Sequence, residues 1–195
     1  MTQGLERTAT STGKFSSRRA VIGWLVASAG LSILPRAGFA SQDDVARRFE
    51  FLSNKGNSSC SRAFLDSIPS MPDAARLQGS CCAPMVLHRY REQVAGLEAY
   101  ATIAEIPPDP YDIEAGLAKR LLAAYDLDLT PDQQEAYDQA MVLSSEKGPC
   151  CCQCWRWHVY GGLGRSLIRD RGFSGEKVAR IWNLSDGCGG EDHMH

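Results

Sequence analysis

Four cysteines occupy five consecutive positions in the stretch GPCCCQCWRWHVY, residues 148–160. Two further groups contain Cys81 and Cys82 in GSCCAPM and Cys188 among the glycines of DGCGG. Cys60 stands alone in the polar stretch NSSCS, and we do not expect it to be a ligand. A chain of this length buries a core without covalent staples, so this number of thiols indicates a chemical role.

The first forty residues are typical of an export signal. The uncharged run from Ala20 to Leu34 is too short to span a bilayer, which takes roughly 20 apolar residues. The preceding pair Arg18-Arg19 resembles a twin-arginine signal, and 38–40 is a small-x-small cleavage site. We therefore predict a signal peptide over 1–40 and one helical, cysteine-rich domain over 41–195, located in the periplasm or outside the cell. A general secretory signal or an uncleaved anchor is the alternative.

The charge of the mature chain bears on its partners. Five of the 21 Lys and Arg residues and one of the 23 Asp and Glu residues lie in 1–40, which leaves a net charge near −6. Such a surface repels phosphate backbones, so we expect no nucleic-acid partner. The export machinery is the partner that the signal peptide implies. The sequence does not identify a delivery partner.

Apolar residues at helical spacing, interrupted by proline and glycine, predict an all-α fold. Thr130-Pro131-Asp132-Gln133 has the pattern of a capped helix start. The prolines of 106–111 predict a stiff connector between two helices. No stretch alternates clearly enough to predict a strand. We therefore expect a compact bundle of five to seven helices, with helical segments at 43–52, 85–103, 113–125, 130–143, 149–170 and 174–182.

The cysteine run is predicted to open one of these helices, with Pro149 as its first residue. At about 100° per residue, three of its four thiols and His158 would then share one face. Cys152 would lie on the opposite side as a small core residue. Helix starts stabilise thiolates, the form in which cysteine binds metals. The candidate metal ligands are Cys81, Cys82, Cys150, Cys151, Cys154, Cys188 and His158.

Three functions fit these thiols. The first is a soft-metal site, since thiolates select Cu(I), Zn(II) or iron–sulfur clusters. Crowded, adjacent cysteines favour Cu(I) over zinc, whose sites use two separated C-x2-C pairs, and only Cys151 and Cys154 have that spacing. The second is a domain braced by up to four disulfides. The third is a thiol–disulfide oxidoreductase that uses Cys151 and Cys154.

The phrases SCCAPM, PPDPYDI, GPCCCQCWRW and WNLSDGCGG together resemble a twin-arginine-exported, cysteine-rich bacterial family without an established activity. The resemblance implies that the three cysteine groups act as one constellation, and it supplies no substrate or catalytic residue. No catalytic triad, phosphate loop or zinc-protease helix is evident in the sequence. The sequence therefore favours a binding protein over an enzyme without deciding between them. Our hypothesis is an exported protein that binds a soft metal for storage, delivery or resistance.

Overall fold

The computed structural model describes residues 42–189, which lie within one compact unit. The predicted signal peptide lies outside the described residues. No helix of the described part has the length and apolar character that a membrane span requires.

Seven helices and a two-stranded ribbon make up the described part of the chain. The predicted all-α class and the helix number are therefore confirmed. The helices are α1 (Gln42–Lys55), α2 (Arg62–Ser67), α3 (Leu87–Leu97), α4 (Ala115–Ala124), α5 (Pro131–Leu143), α6 (Trp155–Arg171) and α7 (Gly175–Ser185). Short 3-10 turns follow α2 at Ile68–Ser70 and α3 at Glu98–Tyr100.

The ribbon is a feature that the sequence did not predict. Strand β1 (Arg76–Gln78) pairs antiparallel with β2 (Asp112–Glu114), and Leu77 lies opposite Ile113. Both of these side chains are buried. Strands of three residues are too short to show an alternating pattern, which is why periodicity did not reveal them.

The start of α5 matches its prediction in atomic detail. The Oγ1 of Thr130 accepts a hydrogen bond from the backbone N–H of Gln133 at 3.4 Å. The Gln133 Oε1 accepts in turn from the N–H of Thr130 at 3.0 Å. This reciprocal capping box satisfies two backbone donors that a helix start otherwise leaves unpaired.

The core forms where α6 packs on α4 and where α5 packs on α7. A Cβ at Gly162 would lie 1.9 Å from the carbonyl oxygen of Leu121, so only glycine allows α6 to approach α4 this closely. Trp182 is buried against the other side of α6, and its Nε1 donates to the carbonyl of Tyr160 at 2.8 Å. These contacts fix the position of α6 relative to α4 and α7.

The prediction that the cysteine run opens a helix at Pro149 is wrong. Helix α6 begins at Trp155, and Cys154 is its N-cap with extended backbone, φ −87° and ψ −171°. The residues from 148 to 154 form a loop in which the N–H of Cys154 donates to the carbonyl of Cys152 at 2.8 Å. A helix would turn successive thiols away from one another by about 100° each, whereas a loop lets them converge.

The predicted proline-rich connector, 106–111, does lie outside helices and strands. Its ends are anchored in the protein, because Ile106 and Tyr111 are buried. The carbonyl of Pro110 faces inward and accepts a hydrogen bond from a side chain of α6. The connector therefore contributes to the wall of the site described next.

Candidate metal centre

All eight cysteines of the chain converge on one region, from four separate loops. Cys60 lies just before α2, and Cys81 and Cys82 follow β1. The loop of 148–154 carries four more, and Cys188 follows α7. All eight are free cysteines in the structure.

Sulfur–sulfur distances show how tightly the thiols are grouped. The Sγ of Cys82 lies 2.9 Å from that of Cys60 and 3.8 Å from those of Cys151 and Cys152. The Sγ of Cys188 lies 3.0 Å from that of Cys151. All of these distances exceed the bond of about 2.05 Å in a disulfide. The two distances of 3.8 Å match the separation of about 3.8 Å between two thiolates on one tetrahedral ion with bonds of about 2.3 Å, whereas those of 2.9 and 3.0 Å are shorter.

The cluster has a buried side and an open side. Cys150, Cys154 and Cys188 are between 0% and 4% exposed. Cys82 is the exposed member at the opposite side, and the remaining four thiols are partly buried. A soft ion bound among these sulfurs would therefore be shielded from water on one side and accessible on the other.

The sulfurs form several overlapping groups of three in the described part of the chain. Within each group the three Sγ atoms lie within 4.8 Å of one another. No imidazole or carboxylate belongs to any of these groups. They include Cys60, Cys152 and Cys154; Cys60, Cys81 and Cys82; Cys82, Cys151 and Cys188; and Cys150, Cys151 and Cys152. The same criterion is met by Cys60, Cys82 and Cys152 and by Cys150, Cys151 and Cys188.

Backbone contacts hold the loop of Cys188 against the loop of Cys81 and Cys82. The N–H of Ala83 donates to the carbonyl of Cys188 at 2.8 Å. Gly189 follows with φ +80°, and a Cβ there would lie 2.1 Å from the carbonyl oxygen of Ala83. Glycine at 189 is required both by the left-handed backbone and by this close approach.

An ion pair between partly buried Arg89 and buried Asp186 supports the same loop. The carboxylate of Asp186 accepts from Arg89 on α3 at 2.7 Å and from the N–H of Cys188 at 3.1 Å. The carbonyl of Asp186 accepts from the Nε2 of Gln93 at 2.6 Å. Asp186 and Gln93 are both buried, so these contacts set the position of the Cys188 thiol relative to α3.

Arg156 places a fully buried positive charge beside the cluster. Its Nη1 donates to the carbonyl of Pro110 at 2.5 Å and its Nη2 to that of Gly79 at 2.8 Å. Its guanidinium carbon lies 4.5 Å from the centroid of the Trp155 ring. No carboxylate of the described residues forms an ion pair with it. Although burial disfavours its charge, neighbouring Tyr160 and the thiols of the cluster raise the pKa of Arg156.

The surroundings of the thiols shift their pKa values in different directions. Hydrogen bonds from the thiols of Cys150 and Cys81, with the N–H groups at the start of α6, hold the pKa of Cys154 well below its usual range. Burial opposes ionisation of Cys82, but contacts with four neighbouring thiols together lower its pKa. Contacts with Cys150 and Cys81, together with burial, raise the pKa of Cys188. The surroundings therefore favour ionisation of Cys154 and Cys82 and oppose that of Cys188.

The structure brings together six of the seven predicted ligands, namely Cys81, Cys82, Cys150, Cys151, Cys154 and Cys188. It does not bring His158 to them. The His158 ring packs edge-on against Tyr125, with centroids 4.7 Å apart, and lines a separate cavity of about 420 Å³. Because α6 begins at Trp155 and not at Pro149, the face that His158 shares with the thiols in the sequence prediction does not form.

Two cysteines that sequence reasoning excludes belong to the cluster. The sequence predicts that Cys60 is either a disulfide partner or an isolated thiol, and it places Cys152 in the core. Their Sγ atoms lie 3.8 Å apart, and each is close to Cys82. The sequence signal for Cys60 is the neighbouring Ser61, which caps the start of α2. Cys60 therefore lies at a helix start, as Cys154 does. No sequence signal marks Cys152, whose position depends on the turn before α6.

The fold and the site define a mostly helical protein with a convergent eight-thiol cluster that could hold metal. Comparison of the chain with family models, curated proteins and solved structures finds no match. The resemblance to an exported, cysteine-rich family therefore stays a prediction.

Proposed function

We propose that this protein binds Cu(I) through its clustered cysteine thiolates, outside the cytoplasmic membrane, for storage, delivery or resistance. The observation that carries the proposal is the convergence of eight free thiols from four loops into one all-sulfur site. Thiolates select soft ions, while carboxylates and carbonyls suit hard cations such as Mg²⁺ and Ca²⁺. The location is inferred from the signal sequence alone.

The grouping of the sulfurs favours Cu(I) over zinc. Structural zinc sites are almost always four-coordinate, with bonds of about 2.3 Å to sulfur. The groups found here contain three sulfurs each. Three sulfurs at such bond lengths from one ion form a triangle with sides of about 4 Å, and the three Sγ atoms of each group lie within 4.8 Å of one another. Three-coordinate sulfur sites suit a soft, monovalent ion.

The oxidoreductase alternative receives less support from the geometry. A catalytic thiol must be reached by an external disulfide, and Cys154 is only 4% exposed. The exposed thiol of the cluster is Cys82. Within the C-x-x-C pair only Cys151, which is partly buried, could meet an external disulfide.

Anaerobic titration of the mature chain with Cu(I), in competition with a Cu(I) chelator, tests the proposal. We expect Cu(I) to be retained against the chelator, and eight reactive thiols after the loaded protein is stripped and denatured. The variant His158→Gln is the matched control, since it alters α6 outside the sulfur groups, and should bind as the unmodified chain does.

Three results would contradict the proposal in different ways. A protein purified without metal and without free thiols would support the disulfide-braced alternative. Preferential retention of zinc over Cu(I) would overturn the copper assignment. Loss of Cu(I) binding in His158→Gln, with the fold intact, would show that the sulfur groups are not the complete site.

A further inference from the structure

Cys82 differs from the other seven cysteines in its access to solvent. Its side chain is exposed, whereas those of the other cysteines, all of which the structure describes, are partly or fully buried. A metal ion is exchanged between two ligands only when both can contact it. A donor that carries an ion therefore meets the sulfur of Cys82 before it meets any deeper thiol of the cluster.

The sulfur of Cys82 also has several thiols around it that can take over part of a bound ion. Its Sγ lies 2.9 Å from that of Cys60, 3.7 Å from that of Cys81, and 3.8 Å from those of Cys151 and Cys152. Two sulfurs bound to one ion at about 2.3 Å each lie at most about 4.6 Å apart. An ion on Cys82 therefore has a second protein sulfur within bonding reach.

The sulfur contacts continue from the partly buried thiols to the buried ones. The Sγ of Cys188 lies 3.0 Å from that of Cys151 and 3.0 Å from that of Cys150. The Sγ of Cys150 lies 3.8 Å from that of Cys154. Exchange between neighbouring sulfurs therefore connects the surface of the cluster with its interior, without release of the ion into water.

The turn that carries Cys82 is held by hydrogen bonds, so the exposure of this thiol is a property of the fold. The Oγ of Ser80 donates to the carbonyl of Ala83 at 2.6 Å and closes the turn around the two cysteines. The N–H of Ala83 donates to the carbonyl of Cys188 at 2.8 Å and attaches the turn to the loop after α7. Cys82 thus stays at the surface while the turn remains joined to the buried side of the cluster.

We infer that Cys82 is the ligand at which Cu(I) enters the cluster from a donor complex, and that the deeper thiols are filled from it by ligand exchange. The inference rests on the proposed function and identifies the thiol that receives the ion. It also restricts the donor to a complex that presents Cu(I) at its own surface, because the buried thiols are only 0% to 4% exposed.

The exchange proceeds without a change in oxidation state. The sulfur of Cys82 forms a bond to Cu(I) as one bond between Cu(I) and the donor breaks, and the proton of the thiol passes to the buffer. A second protein sulfur then forms a bond to the ion, and the last bond to the donor breaks. The donor leaves without the ion, copper stays monovalent, and no electron is transferred.

The rate of Cu(I) transfer tests this role. Apo protein is mixed anaerobically with the coloured Cu(I) complex of bicinchoninate, and the loss of its absorbance is followed by stopped flow. We expect Cys82→Ser to take up Cu(I) more slowly by about tenfold or more, because the serine hydroxyl is a poor ligand for a soft ion. Cys81→Ser is the matched control, since it removes the neighbouring, partly buried sulfur and should load at nearly the unmodified rate.

The final amount of bound Cu(I), measured for each variant, separates slow entry from lost capacity. Equal loading rates of Cys82→Ser and Cys81→Ser would overturn the role of Cys82 and leave the proposed function in place. Absence of Cu(I) uptake by the unmodified chain would instead overturn both.

Limited alkylation of the unmodified apo protein provides a test that does not depend on how a variant folds. We expect Cys82 to be the first cysteine that a small alkylating reagent modifies, as located by peptide mass spectrometry. Protein alkylated at Cys82 alone should load as slowly as Cys82→Ser. Alkylation of another cysteine while Cys82 remains unmodified would contradict the inference.

Discussion

Gly187 provides the space that Arg156 occupies. A Cβ at position 187 would lie 2.1 Å from the Nη1 of Arg156 and 2.3 Å from its guanidinium carbon. The two residues lie in different parts of the chain, and their contact connects the start of α6 with the loop that carries Cys188.

We expect Gly187→Ala to destabilise the apo protein. Overpacking of a filled interior typically costs about 1–3 kcal/mol, because the neighbouring group must move. Anaerobic denaturant unfolding measures the change in the free energy of unfolding. Gly172→Asn is a suitable control, since position 172 is left-handed, φ +63°, and a Cβ there would have no neighbouring atom within 4 Å. If Gly187→Ala lowers the free energy of unfolding no more than Gly172→Asn does, the tight fit at position 187 is contradicted.

Replacement of Arg156 tests its electrostatic role. We expect Arg156→Met to weaken Cu(I) affinity about tenfold or more, equivalent to about 1.4 kcal/mol, because a positive charge next to thiolates is lost. Arg156→Lys keeps the charge and should retain most of the affinity. Chelator competition gives the affinities, and apo unfolding separates them from any loss of stability. Equal affinities of the Met variant and the unmodified chain would rule out charge compensation.

Cu(I) affinity is expected to fall as the pH is lowered. Burial and contact with Cys82 raise the pKa of Cys60, and contacts with neighbouring thiols raise those of Cys150 and Cys188. These thiols are protonated at neutral pH, so binding must displace their protons, and acid favours the unbound state. Chelator competition between about pH 6 and about pH 8 measures this dependence. A pH-independent affinity would indicate that the thiols are already ionised in the apo protein.

Metal loading should protect the thiols from oxidation. The short sulfur distances, 2.9 Å between Cys60 and Cys82 and 3.0 Å between Cys150 and Cys188, leave these pairs ready to form disulfides in the apo protein. We expect a mild disulfide oxidant to consume thiols of the apo protein and to abolish later Cu(I) binding. Thiol counts before and after treatment, on apo and loaded samples, provide the measurement. Equal rates of thiol loss in the two samples would contradict coordination by these pairs.

The helices are largely predictable because their signals are local. The capping box of Thr130 and Gln133 is contained within four residues, and it forms as expected. The start of α6 is misplaced in the sequence prediction because Pro149 carries the same local signal, while the turn at Cys152 and Cys154 depends on contacts made elsewhere. Local propensity alone does not distinguish a helix start from a loop that brings thiols together.

The composition of the cluster is predictable in part. Because so many thiols in one chain need a shared metal ion or disulfide partners, the sequence predicts that Cys81, Cys82 and Cys188 lie near the cysteine run. The membership of Cys60 and the burial of Arg156 depend on tertiary contacts. Arg156 is accommodated by the carbonyls of Gly79 and Pro110, which are 77 and 46 residues away along the chain.

The cysteines of the cluster are far apart along the chain, and this separation determines how metal loading affects resistance to unfolding. Thiols near both ends of the described part, Cys60 and Cys188, join the same cluster. Filled with metal, the cluster acts as a cross-link that closes very long loops, a restraint that reduces the conformational freedom of the unfolded chain. The loaded form should consequently resist protease digestion far longer than the stripped form, in which only the noncovalent contacts of the fold oppose local opening.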